Sequence, residues 1–147
     1  ASKIILVSHL GRPEGKDEKL SLEVVAKALG KMLPNVKYVE DTSGSVVENA
    51  VAEMKDGEIL LLENLRFDPG EEENSAEFIK KIIDVTGAEI YVQDGFAVVH
   101  RAHASTSAVA DFLPVYMRTT MSCPTAVWNL RFLPHTGRLL RRMRKIH

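Results

Sequence analysis

The sequence predicts an α/β fold, an open and mostly parallel sheet flanked by helices. Two observations carry the prediction. Short apolar, β-branched runs alternate with stretches whose apolar residues recur at helical spacing. One run, residues 59–62, is apolar at every position, the pattern of a strand covered on both faces.

Each element has its own warrant. Residues 4–8 form the first strand, and a polar loop with Gly and Pro follows. Ser21 is placed as an N-cap for a helix whose stripe is Leu22, Val25, Ala26, Leu29, Met32 and Leu33, ended by Pro34-Asn35. Residues 36–39 read as the second strand. Ser45 is placed to cap a second helix with the stripe Val46, Val47, Ala50, Val51 and Met54, closed by Asp56-Gly57. After the third strand, residues 64–74 are loop. Phe78, Ile79, Ile82 and Ile83 then mark a third helix that Gly87 ends. Residues 90–92 make a fourth strand, and Ser105 or Thr106 caps a helix reaching Leu113. Crossovers in such units are right-handed.

Composition narrows the class. Of 147 residues, 45% are hydrophobic and 27% charged, the balance of a globular chain. No apolar run approaches the ~20 residues of a membrane span, and the apolar front end is too short for a secretory signal. The chain lacks an initiator Met, which suggests a start inside a larger gene product. A single cysteine, Cys123, excludes an internal disulfide framework and points to the cytoplasm. The net charge of −1 conceals an asymmetry, because all 20 acidic residues lie at or before Asp111. Pro114 is therefore the expected boundary between an acidic body, residues 1–114, and a basic tail, residues 115–147.

Ligands of open parallel sheets bind beyond the carboxyl ends of the strands. Arg12 follows the first strand, Arg66 the third and Arg101 the fourth, with His9, His100 and His103 nearby. The topology puts these loops at one end of the sheet. Converging guanidinium groups suit a small polyanion, since each planar fork meets carboxylate or phosphate oxygens two at a time. Gly11 frees its loop to approach such a ligand. The alternative is that each arginine pairs with a carboxylate such as Glu63, Glu71 or Asp94. Two histidines without an acidic partner at fitting spacing do not make a metal site. The segment from Gly11 to Asp17 is one residue short of a P-loop and has Asp17 in place of Ser or Thr, and no G-x-G-x-x-G is present.

Four motifs then identify a relative. Ser8-His9-Leu10-Gly11-Arg12-Pro13, Leu60-Leu61-Leu62-Glu63-Asn64-Leu65-Arg66-Phe67, Pro69-Gly70-Glu71-Glu72, and Asp94-Gly95-Phe96 with residues 100–106 stand in order. Their order and spacing resemble the phosphoglycerate-binding, N-terminal domain of phosphoglycerate kinases, over residues 3 to 114. Asp94-Gly95-Phe96 departs from the Asp-Ala-Phe of many members. The resemblance implies a glycolytic phosphotransferase with a carboxyl group acceptor. Its reaction is reversible transfer of the acyl phosphate of 1,3-bisphosphoglycerate to Mg-ADP, giving 3-phosphoglycerate and ATP. It also implies a basic patch of His9, Leu10, Gly11, Arg12, Arg66 and Arg101 for the phosphoglycerate. Arg12 and Arg101 would be catalytic by electrostatic positioning, with no general base, and His9 and His100 would be orienting donors.

The same resemblance marks what this chain does not match. The family's opening strand, with an Asp-Phe-Asn segment and a further substrate arginine, lies inside the sheet and has no counterpart. Neither do the Gly-Gly-Ala-Lys and Gly-Gly-Gly segments of the nucleotide domain. Mg-ADP and Mg-ATP thus belong to the whole enzyme, implied to be a monomer, and neither nucleotide nor metal is expected on this chain. The isolated chain is expected to be inactive, because the family closes two domains to exclude water. The tail does not match the family. Its composition resembles a foreign junction or a shifted reading frame, although Leu139, Leu140, Met143 and Ile146 could line a basic amphipathic helix. Two alternatives stay open. One is a non-catalytic phosphoglycerate-binding module, and the other is an interaction protein acting through the basic tail; no specific nucleic-acid or membrane partner is expected.

Overall fold

A computed structural model of the chain describes residues 3–117 and 144–145. The strands are β1 (Ile4–Leu6), β2 (Val36–Tyr38), β3 (Ile59–Leu61), β4 (Tyr91–Gln93), β5 (Val115–Met117) and β6 (Arg144–Lys145). The helices are α1 (Glu23–Met32), α2 (Ser45–Ala52) and α3 (Ala76–Thr86), supplemented by short 3-10 turns. All four strand pairings are parallel. The α/β reading holds, but the strands form two three-stranded sheets, ordered β1-β3-β2 and β4-β5-β6, instead of one. The continuation of the second sheet through β5 carries regular structure past Pro114 to Met117.

The core spans both sheets. Leu60 and Leu62 join Val47, Met54, Phe78, Ile79, Ile82, Val109, Leu113 and Val115 in one buried cluster. Leu61, on the other face by strand alternation, is 2% exposed, so β3 is covered on both sides as its apolar run predicts. Full burial of each such leucine contributes about 1.5–3 kcal/mol. α2 and α3 pack on each other, and α1 packs beside β2.

Local chemistry explains most boundaries. Ser75 Oγ accepts from Phe78 N at 3.2 Å to start α3, and Gly87, at φ 62°, ends it by donating to Ile83 O. Three expectations are corrected. The α1 stripe is buried only at its front, because Leu22 is 1% exposed while Met32 is 77% and Leu33 42% exposed. Ser45 is the first residue of α2, with Gly44 at the cap position. The helix expected to reach Leu113 is instead a series of turns and a 3-10 segment, Ala108–Asp111, because side chains from elsewhere take its backbone donors. The expected amphipathic tail helix falls largely on residues outside the described set, and within it Arg144–Lys145 pairs with β5 as a strand.

Candidate anion site

β1 and β3 are parallel neighbours, so the loops that leave them run side by side. Asn64, fully buried, pins the two together. Its Oδ1 accepts from Leu10 N (3.3 Å) and Arg66 N (3.1 Å). Its Nδ2 donates to Leu10 O (2.8 Å) and Leu20 O (2.9 Å). Leu65 N adds a 3.1 Å bond to Ser8 O. Gly11 closes this arrangement at φ 66°, and a Cβ there would sit 2.8 Å from Leu20 Cδ2.

Arg66 follows at the 3-10 turn Leu65–Phe67 and is 7% exposed. Its Nη1 donates to Gly11 O at 2.6 Å. Its Nε lies 3.1 Å from Glu72 Oε1, an ion pair without hydrogen-bond alignment. Nη2 has no hydrogen-bond partner among the described residues. Buried donors left in this state are rare in folded proteins. His9, half-buried, stands in the same field. Desolvation first, then the charges of Arg66, His103 and Arg101, hold its pKa below the ordinary 6.5, with Glu72 acting in the opposite sense. The charges of two predicted arginines therefore act on one imidazole. The alternative of an arginine paired with a nearby carboxylate is met at Arg66, whose partner is Glu72.

The other predicted residues are placed as follows. Leu10 is half-buried, held at both backbone groups by Asn64. Arg12 is exposed, without an ion pair among the described residues. Arg101 is half-buried. His100 is exposed, and His103 is the other imidazole whose charge reaches His9. A groove of about 330 Å³ passes Arg66 between Pro13, Glu14 and Gly15 and the segment Phe67, Pro69, Glu72 and Glu73. Its three carboxylates, Glu14, Glu72 and Glu73, repel an anion, so this groove is a poor receptor for one.

Two carboxylates that the sequence offered only as arginine partners are instead buried braces. Glu63, 3% exposed, accepts from Tyr38 Oη (2.6 Å), Ser21 Oγ (2.8 Å), Leu22 N (2.8 Å) and Asn64 N (2.7 Å). Desolvation raises its pKa, but these four donors together outweigh it and leave the carboxyl below its ordinary value. Tyr38 is pushed up to about 12 by burial and by its bond to Glu63. Glu71, 1% exposed, accepts from Ser105 N (3.0 Å) and Ser105 Oγ (2.6 Å). Tyr91 beside this pair is pushed up to about 12, by burial first and then by the Glu71 charge. Neither role could be found from spacing, because all their partners but Asn64 lie 25 to 42 residues away.

Comparison with known proteins decides the ancestry. A family model described as phosphoglycerate kinase matches residues 1–125. The chain belongs to the phosphoglycerate kinase family. Phosphoglycerate kinase of Gloeobacter violaceus is 51% identical over 113 residues, covering 76% of this chain and 27% of that protein. The phosphoglycerate kinase of a Wolbachia species is 47% identical over 117 residues, 79% of this chain and 29% of the relative. Among solved structures, phosphoglycerate kinase from Pyrococcus horikoshii superposes with a TM-score of 0.66 at 31% identity, covering 77% of this chain and 29% of its own. The Coxiella burnetii phosphoglycerate kinase gives 0.65 at 31%, with 90% of this chain and 32% of its own. The chain thus spans less than a third of the phosphoglycerate kinases it matches.

Phosphoglycerate kinases use Mg-ADP and Mg-ATP as whole enzymes. No group of three or more His, Cys, Asp or Glu among the described residues could hold a metal ion. No helix of the described residues is long and apolar enough to cross a membrane.

Proposed function

We propose that this chain supplies the phosphoglycerate-binding side of a phosphoglycerate kinase. The ligand is 3-phosphoglycerate or 1,3-bisphosphoglycerate, and the receptor is His9, Leu10, Gly11, Arg12, Arg66 and Arg101. The observation that carries the reading is the buried Arg66 guanidinium with Nη2 unpartnered, together with a His9 on which the charges of Arg66, His103 and Arg101 all act. A phosphate or carboxylate at these loops would neutralise the local positive charge, and a turn of the Arg66 side chain would bring its shielded Nη2 to the ligand. Arg12 and Arg101 then act by positioning the acyl phosphate and screening its charge, work that phosphoryl transfer requires more than proton abstraction. No step is assigned to nucleotide on this chain, and the chain alone makes no ATP from 1,3-bisphosphoglycerate and Mg-ADP.

The test is a titration of 15N-labelled chain with 3-phosphoglycerate, following the Nε–Hε signals of Arg12, Arg66 and Arg101. The expected result is a saturable shift of all three that Arg66→Lys weakens about tenfold, because lysine cannot keep the fork geometry. An unresponsive set of arginines would overturn the reading. ATP formed by the pure chain would overturn the inactivity proposed for it.

A further inference from the structure

Residues 68–75, between Arg66 and α3, touch both halves of the candidate site with two consecutive carboxylates. Glu72 points outward to Arg66. Glu71 points inward, to the turn that follows Arg101. We propose that Glu71 is a positioning residue for Arg101, and that it sets the second cationic arm of the site through Ser105.

The chain of contacts is continuous. Glu71 Oε2 accepts from Ser105 N at 3.0 Å and Oε1 from Ser105 Oγ at 2.6 Å. Glu71 O accepts from Ala104 N at 2.9 Å. Three residues further on, Asn74 Oδ1 takes Ala108 N at 3.1 Å. The segment 104–108 is therefore held from outside at three backbone donors. Thr106, inside that segment, transmits the hold, because its Oγ1 donates to Arg101 O at 2.6 Å and accepts from His103 N at 3.1 Å. Arg101 N closes onto Val98 O at 2.9 Å. Little regular structure lies between β4 and the 3-10 segment at 108–111, so these side-chain bonds fix where the Arg101 backbone stands. His103, whose Nδ1 is 3.9 Å from Glu71 Oε1, belongs to the same turn and lends its charge to His9.

Burial suits Glu71 to this role. At 1% exposed it cannot touch a ligand arriving at the rim, yet its two oxygens meet adjacent donors of one residue. Such a bidentate grip fixes orientation as well as distance. Loose support of this kind, an ångström of slack behind a correct side chain, is enough to spoil a site.

The inference rests on the phosphoglycerate reading for its ligand but not for its geometry, and the test has an arm for each. In the ligand-free chain, Glu71→Leu removes both acceptors at similar volume, and the expected result is faster motion at the amides of residues 101–106 with Arg66 Nε–Hε unchanged. In the presence of 3-phosphoglycerate, Glu71→Leu should lose the Arg101 shift and weaken binding about tenfold, as for other supporting residues, while Arg66 still responds. Glu71→Gln should restore both signals, because its oxygen can accept from Ser105 N while its amide donates to Ser105 Oγ. Should Glu71→Leu not fold, Ser105→Ala, which removes one bond only, takes its place with a smaller change in the same direction. The proposal is overturned if a folded Glu71→Leu or Ser105→Ala chain shows wild-type motion at 101–106, or if Glu71→Gln behaves like Glu71→Leu. A wild-type chain whose arginines ignore 3-phosphoglycerate removes the ligand assignment, and the ligand-free arm alone then decides the positioning role.

Discussion

Removing the Glu63 carboxylate is the most informative perturbation of the scaffold behind the site. Glu63→Ala strands four donors at once: the hydroxyls of Tyr38 and Ser21 and the amides of Leu22 and Asn64. The two hydroxyls lie 3.1 Å apart and can bond each other, so they relax. The amides cannot turn, and each left unpaired costs about 1–2 kcal/mol. With lost packing of the stem, the expected destabilisation is about 3 kcal/mol, or roughly 10 °C in Tm for a unit of this size. Glu63→Gln keeps an oxygen for the amides and donates to the hydroxyls, so about 1 kcal/mol is expected. Urea unfolding followed by circular dichroism reads both. The acid side adds a second signature. Because the folded pKa of Glu63 is depressed, its contribution is present above its ordinary 4.5 and is lost as pH falls through the folded value. Glu63→Gln should therefore flatten the acid limb of the stability profile. A loss under about 1 kcal/mol for Glu63→Ala would mean that other acceptors serve these donors, refuting the brace.

Three further outcomes follow from the rim. His9 should titrate below 6.5 in the free chain and higher once 3-phosphoglycerate cancels the surrounding positive charge, as read from its imidazole proton shifts. Its contribution to stability is present above pH 6.5 and lost as pH falls through the folded value, the sign set by its depressed pKa. Glu72→Gln should strengthen anion binding about threefold by freeing Arg66 of a half-exposed counter-ion, and it should depress His9 further; an unchanged His9 titration would contradict the field described. Gly11→Ala should destabilise by at least about 1–2 kcal/mol from the left-handed backbone, with the Leu20 clash in addition, measured by thermal unfolding.

The order of elements was legible because apolar periodicity survives in short segments. Residues 59–62 announced a strand covered on both faces, and Leu61 and Leu62 are buried as expected. The division into two sheets had no signal, since strand pairing is decided by partners distant in sequence. The helix sought at residues 105–113 failed for a related reason. Ser105 and Thr106 look like caps, but one hydroxyl is bound to Glu71 and the other to Arg101 O. The rule that strand exits hold ligands pointed to Arg12, Arg66 and Arg101, of which the structure buries Arg66, half-buries Arg101 and leaves Arg12 exposed. Glu72 was missed as the partner of Arg66, because a six-residue offset through an irregular loop carries no geometric meaning in sequence.

The pairing pattern also governs how this chain must reach its final form. β1 and β2 both pair with β3 and with no other described strand, and Ile4 meets Ile59 at a separation of 55 positions. Among the described residues no strand pair is a hairpin, so no sheet bond can form early by local zipping. The helices can flicker into place within microseconds, whereas the first sheet must wait for its central strand and the long closures on either side. Until then the apolar stretch at 59–62 is uncovered, and during synthesis this is the interval in which a chaperone would find the nascent chain.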